Sequence, residues 1–369
     1  MQEFRFVVVG SGYAGSVISR LLADHFSNDN ILVIEIKNHI GGHSYDKFNE
    51  YGILIHKYGP HIFHTNYKEV FDYLGKFTSW LNYQHRVLTS INGQLLPIPI
   101  NLDTINEYFG LNLNTFEVQQ FLDKLAEKKE EINNSEDAVV SKIGRELYEK
   151  FFKFYTIKQW DKDPSELDKS VLSRIPVRTN RDDRYFSDKY QAMPKEGYTN
   201  MFENMLNHPR IKILLQSDYF EIKENFNPAL TIYTGPIDRF FNYKFGKLQY
   251  RSLRFEWETY NQDFYQKAAV INYPNDYDFT RITEYKYLTG QKHQKTTISK
   301  EFPTWDGDPY YPVSSKENQE LYLKYKEEAD KTKNVIFLGR LAEYKYYNMD
   351  HVVKKALDVF KEIKDKFSK

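Results

Sequence analysis

The run RFVVVGSGYAGSVISRLLADHF at residues 5–26 constrains the fold more than any other stretch. Three valines, Val7 to Val9, lead straight into Gly10-Ser-Gly12-Tyr-Ala-Gly15, and Val17, Ile18, Leu21 and Leu22 then recur at helical spacing. A short unbroken apolar run reads as a strand buried on both faces, and a 3.6-residue period reads as a helix packed on it. The glycines between them permit a tight turn and let a pyrophosphate approach the backbone at the positive end of the helix. Ile31 to Glu35 reads as the next strand and ends in an acid 20 residues beyond Gly15, placed to accept hydrogen bonds from the ribose hydroxyls of an adenosine. Gly-x-Gly-x-x-Gly by itself is a weak match. The strand before, the helix after and the acid at the right distance make it a βαβ dinucleotide unit.

What the chain binds is narrowed by what it lacks. Among 369 residues, Lys plus Arg and Asp plus Glu number 51 each, so the net charge is zero and nucleic acid is disfavoured as a partner. There is no cysteine, which removes disulfides, Fe–S clusters and thiol catalysis together. No apolar run reaches 18 residues and no signal peptide precedes the first strand, so neither a membrane span nor export is expected and the predicted location is cytoplasmic. Aromatics are 17% of the chain, with 30 Tyr and 27 Phe. Most must be core, but Tyr also suits a cleft that needs a flat apolar face with a polar tip.

QHRVLTSINGQLLPIPI (84–100) is predicted to be a hairpin turning at Asn92-Gly93. Asn49 to Asn66 reads as loop. Leu102 to Ser173 reads as an inserted helical lobe, with the charged run KLAEKKEEI expected to be a solvated helix face. IKILLQ, ALTIYTG, AAVINY and TTISKEF supply strands between about 185 and 305. VIFLGR (335–340) and MDHVVKKALDVFKEI (349–363) close the chain as a strand and an amphipathic helix. The fold class is α/β. A discontinuous Rossmann-like domain is expected over 1–80, about 195–240 and 315–369. A helical domain is expected over about 100–190. An antiparallel or mixed sheet domain is expected over about 81–99 and 241–314.

Glu35 is followed by Ile-Lys-Asn-His-Ile-Gly41-Gly42. An acid, a five-residue gap and a glycine pair resemble the flavoproteins of the amine-oxidase-like superfamily, which favours FAD over a nicotinamide. His61 and His64 lie three apart, but no third ligand arrives at metal spacing, and zinc is rejected. Positions 152 and 155 of YEKFFKFYTIKQW share a helix face and permit an aromatic platform. By pattern alone they read equally well as core.

The match becomes specific at IGGHSY (40–45), HKYGPHIFHT (56–65), FYTIKQW (154–160), RIPVR (174–178), YRSL (250–253), TRITE (280–284), PYYP (309–312) and GRLAEYKY (339–346). With these segments in this order, nearly end to end, the chain resembles the bacterial UDP-galactopyranose mutases. The resemblance implies an FAD domain, a small helical domain and a six-stranded sheet. It also implies ring contraction between UDP-galactopyranose and UDP-galactofuranose, with reduced-flavin N5 attacking sugar C1 and no net redox change. By the same resemblance Arg174 and Arg281 hold the diphosphate, and Arg251, Arg340 and Met349 face the cofactor together with Gly10, Gly12, Gly15, Glu35, Gly41 and Gly42. Phe152 and Tyr155 stack on uracil, and Trp160 lies against the sugar. Tyr185, Tyr311 and Tyr346 donate to phosphate, Asn348 lies near the sugar, and His61 and His64 sit beside the flavin. A homodimer is implied.

Three positions depart from that pattern. His43 follows Gly-Gly where Asn is usual, Asp161 follows Trp160 where Gly is usual, and Asn348 stands where Asp is common. These departures leave open a same-family mutase for UDP-N-acetylgalactosamine or a dTDP-6-deoxyhexose. An oxidase of amine-oxidase type and a non-catalytic nucleotide-sugar binder are the further alternatives. A complete flavin frame argues against the binder.

Overall fold

The computed structural model describes residues 4–173 and 176–367. Strand β1 (Phe6–Val9), helix α1 (Tyr13–His25) and strand β2 (Ile31–Ile34) form the expected βαβ unit. They nucleate a five-stranded parallel sheet in the order 211–214, β2, β1, 230–233, 335–337. IKIL and LTIY thus join the nucleotide sheet, pairing in parallel with β2 and β1, which are buried except at Val9. Val17, Ile18 and Leu22 of α1 pack with Val352, Val353, Ala356 and Val359 of the C-terminal helix Met349–Phe367 in one core on this sheet. The last strand and helix of the nucleotide lobe thus come from the far end of the chain.

A second sheet has seven strands, in the order 311–312, 250–260, 296–304, 281–284, 270–272, 87–91, 94–98. The two-residue edge at Tyr311–Pro312 adds one strand to the six expected. All neighbours are antiparallel except Val270–Asn272 beside Val87–Ile91, so the sheet is mixed. The hairpin forms as predicted, with Asn92 and Gly93 both at positive φ (52° and 82°) as its two-residue turn requires.

Helices Leu102–Phe109, Thr115–Leu125 and Ser135–Tyr148 pack on the hairpin through Ile105, Val118, Leu122, Val140, Ile143 and Leu147. Asn101, Asn114 and Asn134 cap their first turns. Two readings of the sequence are corrected. KLAEKKEEI is not a helix face: the helix ends at Leu125, and in the following loop Glu127 accepts from Arg145 at 2.9 Å and Lys129 lies 3.3 Å from Asp137. Within 49–66, Leu54–His56 and Phe63–Thr65 are strands, paired to Asp46–Phe48 and Tyr190–Pro194. Among the described residues, no helix is long and apolar enough to cross a membrane.

Candidate active site

A cavity of about 840 Å³ runs from the carboxyl ends of β1 and β2 toward the second sheet. That is within the size of ordinary ligand sites, roughly 300–1,000 Å³. Gly10, Gly12, Glu35, Gly41, Gly42, Arg340, Met349 and His61 all line it. The two glycine loops touch: a Cβ on Gly42 would lie 3.0 Å from the Gly12 Cα, and φ at Gly42 is 57°, so any side chain there would clash and strain the backbone together. Gly15 does not reach the cavity. Its Cβ would meet the Gly10 carbonyl at 1.8 Å, so this glycine serves the close packing of α1 on β1.

Glu35 is buried. Its Oε2 accepts from the Ser11 amide (2.8 Å) and hydroxyl (2.7 Å), and its Oε1 accepts from the Lys37 amide (2.9 Å). The carboxylate is thereby fixed at the cavity wall with lone pairs to spare for a ribose. The touching backbones and the anchored acid fit a dinucleotide with a pyrophosphate over the turn and a ring system extending toward His61.

His61 places Nδ1 2.9 Å from the Gly59 carbonyl and receives no carboxylate, and burial holds its pKa down to about 4. It is a neutral, oriented imidazole on the cavity wall. His64 is placed elsewhere: it pairs with Asp188 (2.9 Å) and stacks on Phe186 (3.6 Å), and it is absent from the cavity lining. Strand 63–65, which begins after His61, pairs His64 with Gln191 on strand 190–194 and so carries it to Asp188.

A second group of side chains gathers where the helix Phe154–Trp160 meets the sheet. Arg281 donates through Nη2 to the Tyr155 hydroxyl, and its Nε lies 3.5 Å from Glu301. Residues 281 and 301 are directly opposed across adjacent strands, which puts the two charges on one face. Burial works against the Arg281 charge, but Glu301 and the surrounding Tyr155, Tyr311 and Tyr185 outweigh it and raise its pKa. Burial pushes the Glu301 carboxyl up, with Arg281 opposing. Burial also pushes the Tyr155 hydroxyl up to about 12. Tyr311 stacks on Tyr346 (5.6 Å), lies 6.3 Å from Trp160, and sits below the Arg340 guanidinium at 5.6 Å. Arg340 is itself held by the Tyr310 and Tyr347 carbonyls (3.1 and 2.6 Å). Cations, hydroxyls and aromatic faces thus gather in one cluster, which Arg340 alone joins to the lining of the dinucleotide cavity. Such a set can hold a diphosphate and a flat base.

Several expected site residues take other places. Phe152 is buried in the helical core, because Glu149–Lys153 forms a wider π turn that shifts the helical phase, and Tyr155 is left as the aromatic at the cleft. Arg251 does not line the cavity; it donates to the Gln159 (2.9 Å) and Lys158 (3.2 Å) carbonyls and so caps the helix carrying Tyr155. Asn348 sits at the start of the C-terminal helix, where its carbonyl accepts from Val352, beside the cavity-lining Met349. Arg174 lies outside the described residues. His43, the departure after the glycine pair, lines the cavity and stacks on Tyr310 at 4.2 Å, its pKa lowered well below the usual range by burial. No motif marks Tyr219, Phe220, Arg239, Tyr243 and Lys247, which line the far end of the cavity from the short helices Tyr219–Ile222 and Ile237–Phe240 and the segment after them.

Comparison with known proteins bears on this arrangement. The family model for UDP-galactopyranose mutase matches residues 150–346, and one for NAD(P)-binding Rossmann-like domains matches residues 8–77. A Klebsiella pneumoniae protein described as a probable UDP-galactopyranose mutase is 40% identical over 97% of this chain and 94% of its own. The dTDP-fucopyranose mutase of Escherichia coli is 37% identical over 96% and 97%. A crystal structure of reduced UDP-galactopyranose mutase superposes with a TM-score of 0.80 at 16% identity, covering 100% of this chain and 95% of that one.

Proposed function

The chain belongs to the UDP-galactopyranose mutase family of enzymes, and from that premise we propose that it binds FAD non-covalently and interconverts the pyranose and furanose forms of UDP-galactose. The observation that carries the proposal is a cluster of Arg281, Tyr155 and Tyr311 that Arg340, seated over Tyr311, joins to a cavity whose other end is a dinucleotide turn. When bound and reduced, the flavin supplies a nucleophilic nitrogen for the anomeric carbon.

The protein's own part is to bind, orient and stabilise charge. Glu35 takes the adenosine ribose and the Gly10–Gly12 turn takes the cofactor pyrophosphate. Arg281 holds the substrate diphosphate as its charge grows on leaving C1, with Arg174 as the expected second clamp; a guanidinium fork suits two phosphate oxygens better than an ammonium. Tyr155 stacks on the base. Tyr311 and Tyr346 present hydroxyls beside the diphosphate, and Trp160 walls the sugar. His61, held neutral, can accept or donate a hydrogen bond near the sugar hydroxyls without adding charge.

A second reading is a mutase for a dTDP-6-deoxyhexose. It is favoured by the relative that acts as a dTDP-fucopyranose mutase and by Asn348 and Asp161 near the sugar end. One set of assays separates the two. The purified protein should be yellow and release FAD on heating. After reduction it should convert UDP-galactofuranose faster than dTDP-fucofuranose. The opposite preference would transfer the assignment to the second sugar, and a protein with only FMN or NAD(H) would overturn the flavin reading.

A further inference from the structure

The helix Phe154–Trp160 ends at Asp161, which has a left-handed backbone (φ 54°, ψ 35°) and donates its N–H to the Ile157 carbonyl at 2.7 Å. Glycine is the ordinary residue at such a helix end, because a Cβ is strained there. The Asp161 side chain has a specific partner: its Oδ2 accepts the indole N–H of Trp305 at 2.7 Å. The same indole covers Arg251, whose guanidinium carbon is 4.4 Å from the ring centre and which in turn caps the Lys158 and Gln159 carbonyls. Helix end, arginine, indole and Asp161 close into one ring of contacts.

Trp305 opens a short segment of which Trp305, Gly307, Asp308 and Pro309 all line the dinucleotide cavity. At its other end Asp308 pairs with Lys37, two residues beyond Glu35. The segment is therefore fastened on one side to the helix that carries Tyr155 and Trp160, and on the other to the strand end that carries the ribose-binding acid. Trp305 is 42% exposed, so burial does little to hold it. Its position is set by the hydrogen bond and by Arg251.

We propose that Asp161 is a positioning residue that fastens Trp305 against the cavity, so that the Trp305–Pro309 segment acts as a clasp retaining the cofactor. The proposal rests on the FAD reading above. Asp161→Gly removes the acceptor and relieves the backbone, so the variant keeps its fold. Trp305→Phe removes the N–H with the five-membered half of the indole and leaves a six-membered ring facing Arg251. FAD release from the holoenzyme is followed by the rise in free-flavin fluorescence on dilution, a readout independent of turnover. Each single variant should release FAD about three- to tenfold faster than the wild type. The double variant should be no faster than either, because both changes remove the same bond. Unchanged release from FAD-loaded variants, or effects that multiply in the double variant, would overturn the clasp. A wild-type protein that carries no FAD would overturn the clasp and the flavin reading together, so the two failures are told apart.

Discussion

Replacing Arg281 with Met should separate what this residue does for the fold from what it does for the substrate. Glu301 has only 4% of its side chain exposed, and Arg281 Nε stands 3.5 Å from it. At an effective dielectric near 20, unit charges at 3.5 Å attract by ~5 kcal/mol. The orphaned carboxyl can instead take a proton. From an ordinary pKa of about 4.3 that costs at most ~4 kcal/mol at pH 7, and less here because burial already raises the pKa. Arg281→Met is therefore expected to lose ~2–4 kcal/mol of stability, in line with breaking a buried pair from one side. Adding Glu301→Gln removes the stranded charge and should restore all but about 1 kcal/mol. Binding of UDP should not recover, because each charge-assisted phosphate contact is worth ~1.5–3 kcal/mol, or about 10–150-fold in affinity. Urea unfolding of the apoproteins gives the first quantity, free of stabilisation by bound flavin. Titration of the FAD-loaded forms with UDP gives the second. A double variant that regains UDP affinity, or an Arg281→Met protein as stable as the wild type, would refute the reasoning.

Burial holds His56 down to about 3 and His61 to about 4, whereas both take a proton near 6.5 when unfolded. Their stabilisation is complete above pH 6.5 and is lost as pH falls toward those values, at ~1.4 kcal/mol per pH unit for each histidine. His56→Gln should remove one such slope from urea midpoints measured between pH 7 and 5, and an unchanged slope would contradict a neutral buried ring. Gly42→Ala should fold but bind FAD at least about tenfold more weakly, since its Cβ would stand 3.0 Å from the Gly12 Cα at positive φ. FAD affinity equal to the wild type would show that the two glycine loops need not touch.

The turn at Gly10–Gly15 and the acid at Glu35 could be read from the sequence because every requirement is local: a buried strand, a helix start and a fixed spacing. The Asn92-Gly93 hairpin was legible for the same reason. The partnership of Arg281 with Glu301 was not, because it depends on the register of two strands whose pairing no local pattern states. The capping role of Arg251 depends likewise on a helix 92 residues away in sequence. His64 shows the converse. Its spacing from His61 suggests a shared role, but the pairing of strand 63–65 with 190–194 carries it to Asp188 and away from the cavity. The charged run after Leu125 looks helical because composition reports solvation and not geometry; it is a loop whose Glu127 accepts from Arg145.

The central claim is that a reduced flavin in the cavity rearranges a nucleotide sugar that the cleft beside it holds, without net oxidation. It is tested most directly by giving one preparation, split into dithionite-reduced and strictly oxidised halves under anaerobic conditions, the same UDP-galactofuranose and separating the products by chromatography. The reduced half should form UDP-galactopyranose through many turnovers for each reduction, while the oxidised half binds the nucleotide sugar and converts little of it. Equal turnover in both halves, or one product per reducing equivalent consumed, would contradict the account.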